Sequence, residues 1–541
     1  MLYQLRSHFF LALCLGSLLF IANHTYAQAN DSFPNLLLII ADDMGVDVTP
    51  GYHNGALMPT TPTLDSLRSV GITFENVWSA PVCTPTRAGI MSGKFGVKSG
   101  VSGLPGNLNL SDTSIFNILE QRTNNRYADA AIGKWHLSSN PTDPLHPEKH
   151  GLDYYMGYLG GAPRAYDNWS RTENGVTTTD RSYVTSTVTD TSISWIAKQQ
   201  QPWFLWLAHA APHTPFHEPT SGLYTISPTD TDFRKYLAMI ESVDHEVNRL
   251  LKSMPDSVRD NTLVIFAGDN GTPQNVLQDY PNRHGKGTLY QGGIRVPMII
   301  AGKGVTRKGE REAALVHLSD LHATILEATG ETLPGGVFNS LSFNHLLDNS
   351  PGPTRDYNYI NYTSMRGDSW AIRNAQYKLI ENPNGSQEMY DLLIDSLEVN
   401  DLIPGGLTAA QQTIKADLEA EAMQIFTLWS CRDHIMNGDE TGIDCGGSAC
   451  QPCSPNSVDG AFAKNAISLS PNPSTDFVKL DAGNAVIESV TVLNVAGSQM
   501  FTKTDIRDTQ YQLDLASLKP QLYIVKVVTQ AGVFHAKMLK Q

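Results

Sequence analysis

Basic residues are in short supply: 39 Lys and Arg against 54 Asp and Glu leave a formal net charge of −15. No basic field exists to hold a phosphate backbone, which excludes nucleic acid as a partner. The same deficit repels a polyanion at long range, so an anionic ligand needs a local cluster of Arg, Lys and His. Long apolar runs are lacking too. The stretch Phe9 to Ala22 follows Arg6 and precedes the small-residue run Thr25-Tyr26-Ala27-Gln28-Ala29. It is too short for a comfortable membrane span and reads as the core of a cleaved signal peptide, residues 1–27. No second run approaches the roughly 20 residues a bilayer requires, so no transmembrane segment is expected.

Cysteine is scarce as well, and the six present sort themselves. Cys14 belongs to the leader, where the bulky Leu13 argues against lipid attachment. Cys431, Cys445, Cys450 and Cys453 crowd into one segment of an exported chain and read as two disulfides. Cys83 is left over. An unpaired cysteine in an exported protein calls for a chemical explanation.

A chain of 541 residues should hold more than one domain. From residue 33 to about 340, short continuous apolar runs alternate with amphipathic helices, the pattern of an α/β domain with a mostly parallel or mixed sheet. Strands are predicted over Asn35 to Ala41, Ala128 to Gly133, Trp203 to Ala208, Thr262 to Ala267 and Ile294 to Ala301. Helices are predicted over Thr63 to Val70, Asp232 to Ser253 and Ser319 to Ala328. Residues 341–430 carry short β patterns (Tyr357 to Tyr362, Trp370 to Arg373, Tyr377 to Ile380) and a helix from Thr408 to Leu428. Residues 431–465 form a Cys-, Gly- and Asp-rich linker. A disulfide-stapled spacer is favoured there over a calcium loop, whose spacing is not that of an EF-hand, and over a zinc site. Residues 466–541 alternate β-prone runs with polar turns, as in a small β-sandwich.

Two strands end in acids. Asp42-Asp43 follows the first, and Asp269-Asn270-Gly271 follows Thr262 to Ala267. If those strands lie side by side, Asp42, Asp43, Asp269 and Asn270 converge; three carboxylates and an amide oxygen suit one Ca²⁺, with Mg²⁺ the less favoured ion. Basic residues come in three further motifs: Gly133-Lys134-Trp135-His136, Ala211-Pro212-His213-Thr214-Pro215 and Gly285-Lys286-Gly287.

Cys83 opens the run Cys83-Thr84-Pro85-Thr86-Arg87, closed by Ser92-Gly93. This Cys-x-Pro-x-Arg signature, together with the motifs above in the same order, resembles the type I, formylglycine-dependent sulfatases over residues 33 to 430. The resemblance implies an alkaline phosphatase-like fold, a large mixed sheet sandwiched by helices, with a small C-terminal antiparallel β subdomain. It implies that a maturation enzyme oxidises Cys83 to formylglycine (3-oxoalanine), whose hydrate attacks sulfur, making the protein a sulfuric ester hydrolase. Asp42, Asp43, Asp269 and Asn270 match the family's metal ligands, and the converted Cys83 would add an oxygen. Arg87, Lys134 and Lys286 would clamp the sulfate, His213 would protonate the leaving oxygen, and His136 would take a proton from the diol. Arg295 is read as supporting; His209, His217 and His284 are at most substrate contacts. Of the aromatics near the motifs (Trp78, Trp135, Tyr154, Tyr155, Tyr158, Trp169, Trp206), some are read as sugar platforms and others as core.

Departures from the family are small: Thr86, Met91 and Ser92 within the signature, Ser138 for Gly, and Gln291 for Glu, which is expected to alter the charge near Lys286. Ser470-Pro471-Asn472-Pro473 and the basic end of the last block resemble the C-terminal sorting domain of type IX secretion, a carbohydrate-binding or adhesion sandwich being the alternative. The expected partners are a sulfated carbohydrate, of ulvan, carrageenan or fucoidan type on inferred lifestyle, the maturation enzyme and the type IX machinery, with the protein secreted or on the cell surface. Two other functions compete: a phosphodiester or phosphonate monoester hydrolase of the same superfamily, and a catalytically silent glycan-binding protein.

Overall fold

The computed structural model describes residues 33–52, 55–138, 143–227, 231–331, 339–430, 468–470, 474–482, 485–494, 499–516, 518–519, 521–529 and 532–540. The leader with Cys14 and the linker with Cys431, Cys445, Cys450 and Cys453 lie outside these residues. The chain divides into two compact units at about residue 424.

The first unit is built on one mixed sheet. Its strands are β1 (Asn35–Ala41), β2 (Gly71–Trp78), β3 (Ala128–Lys134), β4 (Tyr154–Tyr158), β5 (Trp169–Glu173), β6 (Val176–Asp180), β7 (Trp203–His209), β8 (Thr262–Gly268), β9 (Met298–Gly302) and β10 (Glu310–His317). They lie in the order β10-β2-β9-β8-β1-β7-β3-β4-β5-β6. The centre, β8-β1-β7-β3-β4, is parallel, and β9 and the β5–β6 hairpin run antiparallel to their neighbours.

Every residue of β1 is buried. Leu36, Leu38 and Ile40 join one apolar cluster, Leu37, Ile39 and Ala41 the other, so both faces of the sheet are covered. A continuous apolar strand is what that environment selects, and each large side chain buried there contributes about 1.5–3 kcal/mol. The helices covering the sheet include α1 (Pro62–Val70), α2 (Cys83–Ser92), Asp232–Ser253 and Asp320–Ala328.

A second, four-stranded antiparallel sheet follows: β11 (Asn358–Ser364), β12 (Gly367–Arg373), β13 (Tyr377–Glu381) and β14 (Gln387–Asp391). The helix Ala409–Ser430 meets its edge, where Gln387 Nε2 donates to Glu419 at 2.8 Å. No described helix is long and apolar enough to cross a membrane.

The second unit contributes β15 (Ser468–Ser470), β16 (Phe477–Asp481), β17 (Ile487–Asn494), β18 (Gln499–Asp508), β19 (Gln510–Asp514), β20 (Gln521–Thr529) and β21 (Gly532–Lys540). They form two antiparallel sheets, β15-β16-β19 and β18-β17-β20-β21. Val478, Leu480 and Leu513 from one and Val490, Val492, Tyr523 and Val525 from the other share an apolar cluster, which makes a small sandwich. 

Candidate active site

Parallel pairing of β1 with β8 sets Ala41 opposite Gly268. Asp42 and Asp43 therefore leave the sheet beside Asp269 and Asn270, as the two strand-end motifs predict. The turn is tight: Asp43 has a φ of 68°. Its backbone N–H donates to Asp269 Oδ1 at 3.1 Å, and Tyr236 donates to its carbonyl at 2.6 Å.

Cys83, the one cysteine among the described residues, is a buried free thiol at the first position of α2. Pro85 costs nothing in a first turn, where an N–H has no helical partner. Thr86 Oγ1 accepts from the Ala80 N–H at 2.9 Å and fixes the loop entering the helix. Gly93 ends it with a φ of 68°, a left-handed conformation that favours glycine, and its N–H closes on the Gly89 carbonyl at 2.8 Å. The start of a helix of this length favours negative charge at residue 83.

Each acid at this point is bound to a lysine or arginine. Arg87, fully buried in α2, donates to Asp269 Oδ2 from Nε at 3.1 Å and from Nη2 at 2.7 Å, and to the Lys134 carbonyl at 2.9 Å. Lys134, at the end of β3, bonds Asp42 Oδ2. Lys286 bonds Asp43 Oδ1 at 2.5 Å. His213, beyond the end of β7, puts Nε2 3.6 Å from Asp43 Oδ2; its Nδ1 lies 2.8 Å from the Thr214 carbonyl, which can only accept, so Nδ1 carries the proton.

Burial and the neighbouring Asp269 push Asp42 up to about 6, against the pull of Lys134. Asp43 resists burial because Lys286, His213 and Lys134 hold it below the usual carboxylate range. Burial raises the Cys83 thiol to about 11 despite Lys134 and Lys286. Burial, with Lys134 and Arg87, lowers His136 to about 2, leaving its ring neutral.

Among the described residues, the His, Cys, Asp and Glu ligand atoms lying within 4.8 Å of one another belong to Asp42, Asp43, Cys83 and His213. His213 thus joins this group, and Asp269 stands outside it, engaged by Arg87 and by the Asp43 N–H. Asp42 Oδ1 and Asn270 Oδ1 are buried and have no hydrogen-bond partner among the described residues. Two acceptor-only oxygens left bare beside two further carboxylates fit a hard cation, which would relieve the cost of burying them.

The structure also places the residues around these acids. His209 is fully buried, and neither ring nitrogen has a hydrogen-bond partner among the described residues. His217 lies 3.1 Å from the Tyr183 hydroxyl and packs on the Tyr166 ring, and His284 stacks on Tyr290. Trp78, Trp135, Tyr155, Tyr158, Trp169 and Trp206 are buried as core; Tyr154 alone of that set is half-exposed. Gln291 accepts from the Trp78 indole at 2.8 Å while its own N–H donates to the buried Glu398. An amide there avoids a second buried carboxylate beside Glu398, a packing role rather than a charge change at Lys286. Arg295 donates to the Glu75 carbonyl at 2.9 Å.

The Sulfatase family profile matches residues 34–331, over half of the chain. The chain belongs to the sulfatase family. A profile described as N-sulphoglucosamine sulphohydrolase, C-terminal, matches residues 283–425 of this sulfatase, and one described as secretion system C-terminal sorting domain matches residues 468–541. Mouse arylsulfatase J is 30% identical over 327 residues, 55% of this chain and 53% of that protein. Human N-acetylgalactosamine-6-sulfatase is 28% identical over 344 residues, 56% and 63% of the two chains. The chain thus spans between half and two thirds of these curated relatives. Among solved structures, Ps i-CgsB superposes with a TM-score of 0.65 at 25% identity, covering 73% of this sulfatase and 93% of that chain. BT4656, solved with its substrate D-glucosamine-2-N,6-O-disulfate, shares the fold with a TM-score of 0.61 at 19% identity, covering 74% and 99%.

Sequence reading missed the base-to-acid pairing itself. It also missed Tyr236 beneath Asp43; that tyrosine was visible only as one more apolar position on a helix.

Proposed function

We propose that this sulfatase is exported and cleaves sulfate esters of carbohydrates outside the cell, with sulfated algal polysaccharide or its oligosaccharides as substrate, of ulvan, carrageenan or fucoidan type. The observation that carries the reading is the group of three base–acid pairs, Arg87–Asp269, Lys134–Asp42 and Lys286–Asp43, beside a thiol that burial keeps protonated. A protonated thiol is a poor nucleophile, which supports conversion of Cys83 to formylglycine by a maturation enzyme. Once formed, the hydrated aldehyde supplies an oxygen nucleophile and, through its second hydroxyl, a way to expel sulfate.

Asp42, Asp43 and Asn270 would hold Ca²⁺, together with residue 83 and with Asp269 Oδ1, which keeps a lone pair beside its bond to the Asp43 N–H. An ion held there would supply positive charge that makes a neighbouring hydroxyl more acidic and draws charge from sulfate oxygens. Arg87, Lys134 and Lys286 supply the remaining positive charge where a sulfate would sit. His213, with its proton fixed on Nδ1 in the neutral form, donates from Nε2 to the leaving oxygen once protonated. His136, neutral because it is buried among cations, accepts a proton in the following step.

The sorting domain supports export through a type IX system and a target too large to enter the cell. The human relative's name specifies a sulfated amino sugar, which supports a carbohydrate ester. The test is release of inorganic sulfate from ulvan, carrageenan and fucoidan oligosaccharides by protein coexpressed with a maturation enzyme. Sulfate release from any of them is expected; hydrolysis of a phosphonate monoester with no sulfate released from any ester would overturn the reading.

A further inference from the structure

A cavity of about 900 Å³ opens beside Lys286. That is the upper end for a small-molecule site and far more than one sulfate group fills. One wall is the loop from Arg283 to Tyr290, the other the β11–β12 hairpin with its tip Ser364-Met365-Arg366. Both walls are anchored. Gln274 Oε1 accepts from the Gly285 N–H at 3.3 Å, and its amide donates to the Lys286 carbonyl at 3.0 Å. On the hairpin, the Thr363 N–H donates to the Ser102 carbonyl at 2.9 Å and the two hydroxyls lie 2.7 Å apart. A Cβ at residue 103 would fall 2.0 Å from the Thr363 carbonyl oxygen, so the approach requires Gly103.

Two arginines line this cavity with Lys286, namely Arg283 and Arg366, both exposed. Neither guanidinium has an ion-pair or hydrogen-bond partner among the described residues. Arg171, Arg249, Arg307, Arg311 and Arg355 each hold a carboxylate; what sets Arg283 and Arg366 apart from the other arginines without one is that they line the same cavity as Lys286. Tyr362 lines the same space, and Met365 stands fully exposed at its rim. Unpaired guanidiniums beside apolar surface match a sugar chain that bears anionic groups along one side.

Resting on the sulfatase reading, we infer that this cavity holds the sugars next to the ester being cleaved, and that Arg283 and Arg366 bind a second sulfate on them. The substrate class is therefore an oligosaccharide with at least two sulfates, and the local arginines overcome the long-range repulsion of an acidic protein.

The test compares the full matured chain with Arg283→Ala/Arg366→Ala and Arg283→Lys/Arg366→Lys. Each is titrated calorimetrically with a carrageenan hexasaccharide, a heparin hexasaccharide and inorganic sulfate, and its melting temperature is checked. At least one hexasaccharide should bind the unmutated protein about tenfold or more tighter than sulfate. The alanine pair should lose about tenfold of that preference, and the lysine pair should recover part of it. The inference is overturned if neither hexasaccharide outbinds sulfate, or if the preference survives in a folded alanine pair. Release of inorganic sulfate from ulvan, carrageenan and fucoidan oligosaccharides and from 4-nitrophenyl sulfate by the same unmutated preparation separates the two ideas: none from any ester sinks the sulfatase reading, whereas release with arginine-independent binding sinks only this inference.

Discussion

Cys83 sits where thiol chemistry is disfavoured, buried and among acids, at a helix start that favours an oxyanion. Cys83→Ala should lower kcat on 4-nitrophenyl sulfate by more than about 10³-fold, as loss of a covalent nucleophile does, while the melting temperature barely moves. The bare oxygens Asp42 Oδ1 and Asn270 Oδ1 carry a second expectation. Exhaustive chelation should abolish turnover and lower the melting temperature, and Ca²⁺ should restore both better than Mg²⁺; activity that survives verified removal of metal would contradict the assignment. These residues were legible because each closes a strand or opens a helix in a recognisable motif. Arg283 and Arg366 were not, since their significance is that the fold brings them to one cavity with Lys286, a fact about distant residues that no local pattern carries. The aromatics could not be divided between platform and core for the same reason: a tryptophan on a strand reads alike whether it faces a groove or a core.

Among the elements, the apolar strands β1, β3, β7 and β8 and the helix Asp232–Ser253 were readable from periodicity and length. The run Ile294 to Ala301 was read as one strand, yet Gln291–Ile294 winds into a helical turn and β9 starts at Met298. Pro297 explains the break, having no N–H for a ladder. The β5–β6 hairpin was missed because its strands are rich in Thr and charge. Its turn, Asn174-Gly175 with φ values of 42° and 77°, carries the sequence signal that would have found it. Two predictions belong at this scale. Lys378 in β13 bonds Glu398 at 2.5 Å and the Leu289 carbonyl at 2.6 Å, with both side chains fully buried. That pair ties the second sheet to the loop bearing Lys286. Lys378→Met should cost about 3–5 kcal/mol in denaturant unfolding, and Lys378→Met/Glu398→Gln clearly less, because no charge is then stranded. Asp47, in the turn after β1, accepts from Thr272 Oγ1 at 2.5 Å and the Gln278 N–H at 3.2 Å, and burial raises its carboxyl to about 6. The folded state thus keeps a proton that the unfolded chain has lost, so this contribution is full below about pH 4 and is lost as pH rises through about 6. Asp47→Asn should remove about 2–3 kcal/mol of that decline, seen as the difference between the two stability–pH curves; identical curves would refute it.

Across the whole molecule, the two units have separate apolar cores. A chain lacking residues 468–541 should keep the kcat of the full protein but fail to leave a host equipped for type IX export, as cell fractionation and sulfate release would report. The division itself was legible from the change of composition after residue 430, whereas the order of the ten strands was not, because the sheet brings together segments hundreds of residues apart. The central claim, that an acidic exported protein breaks sulfate esters through a converted cysteine held among base–acid pairs, rests on the state of one side chain. The mass of the peptide containing Cys83, from enzyme that releases sulfate, tests it most directly. The account predicts a loss of about 18 Da relative to the thiol; an unmodified thiol throughout a fully active preparation would contradict it.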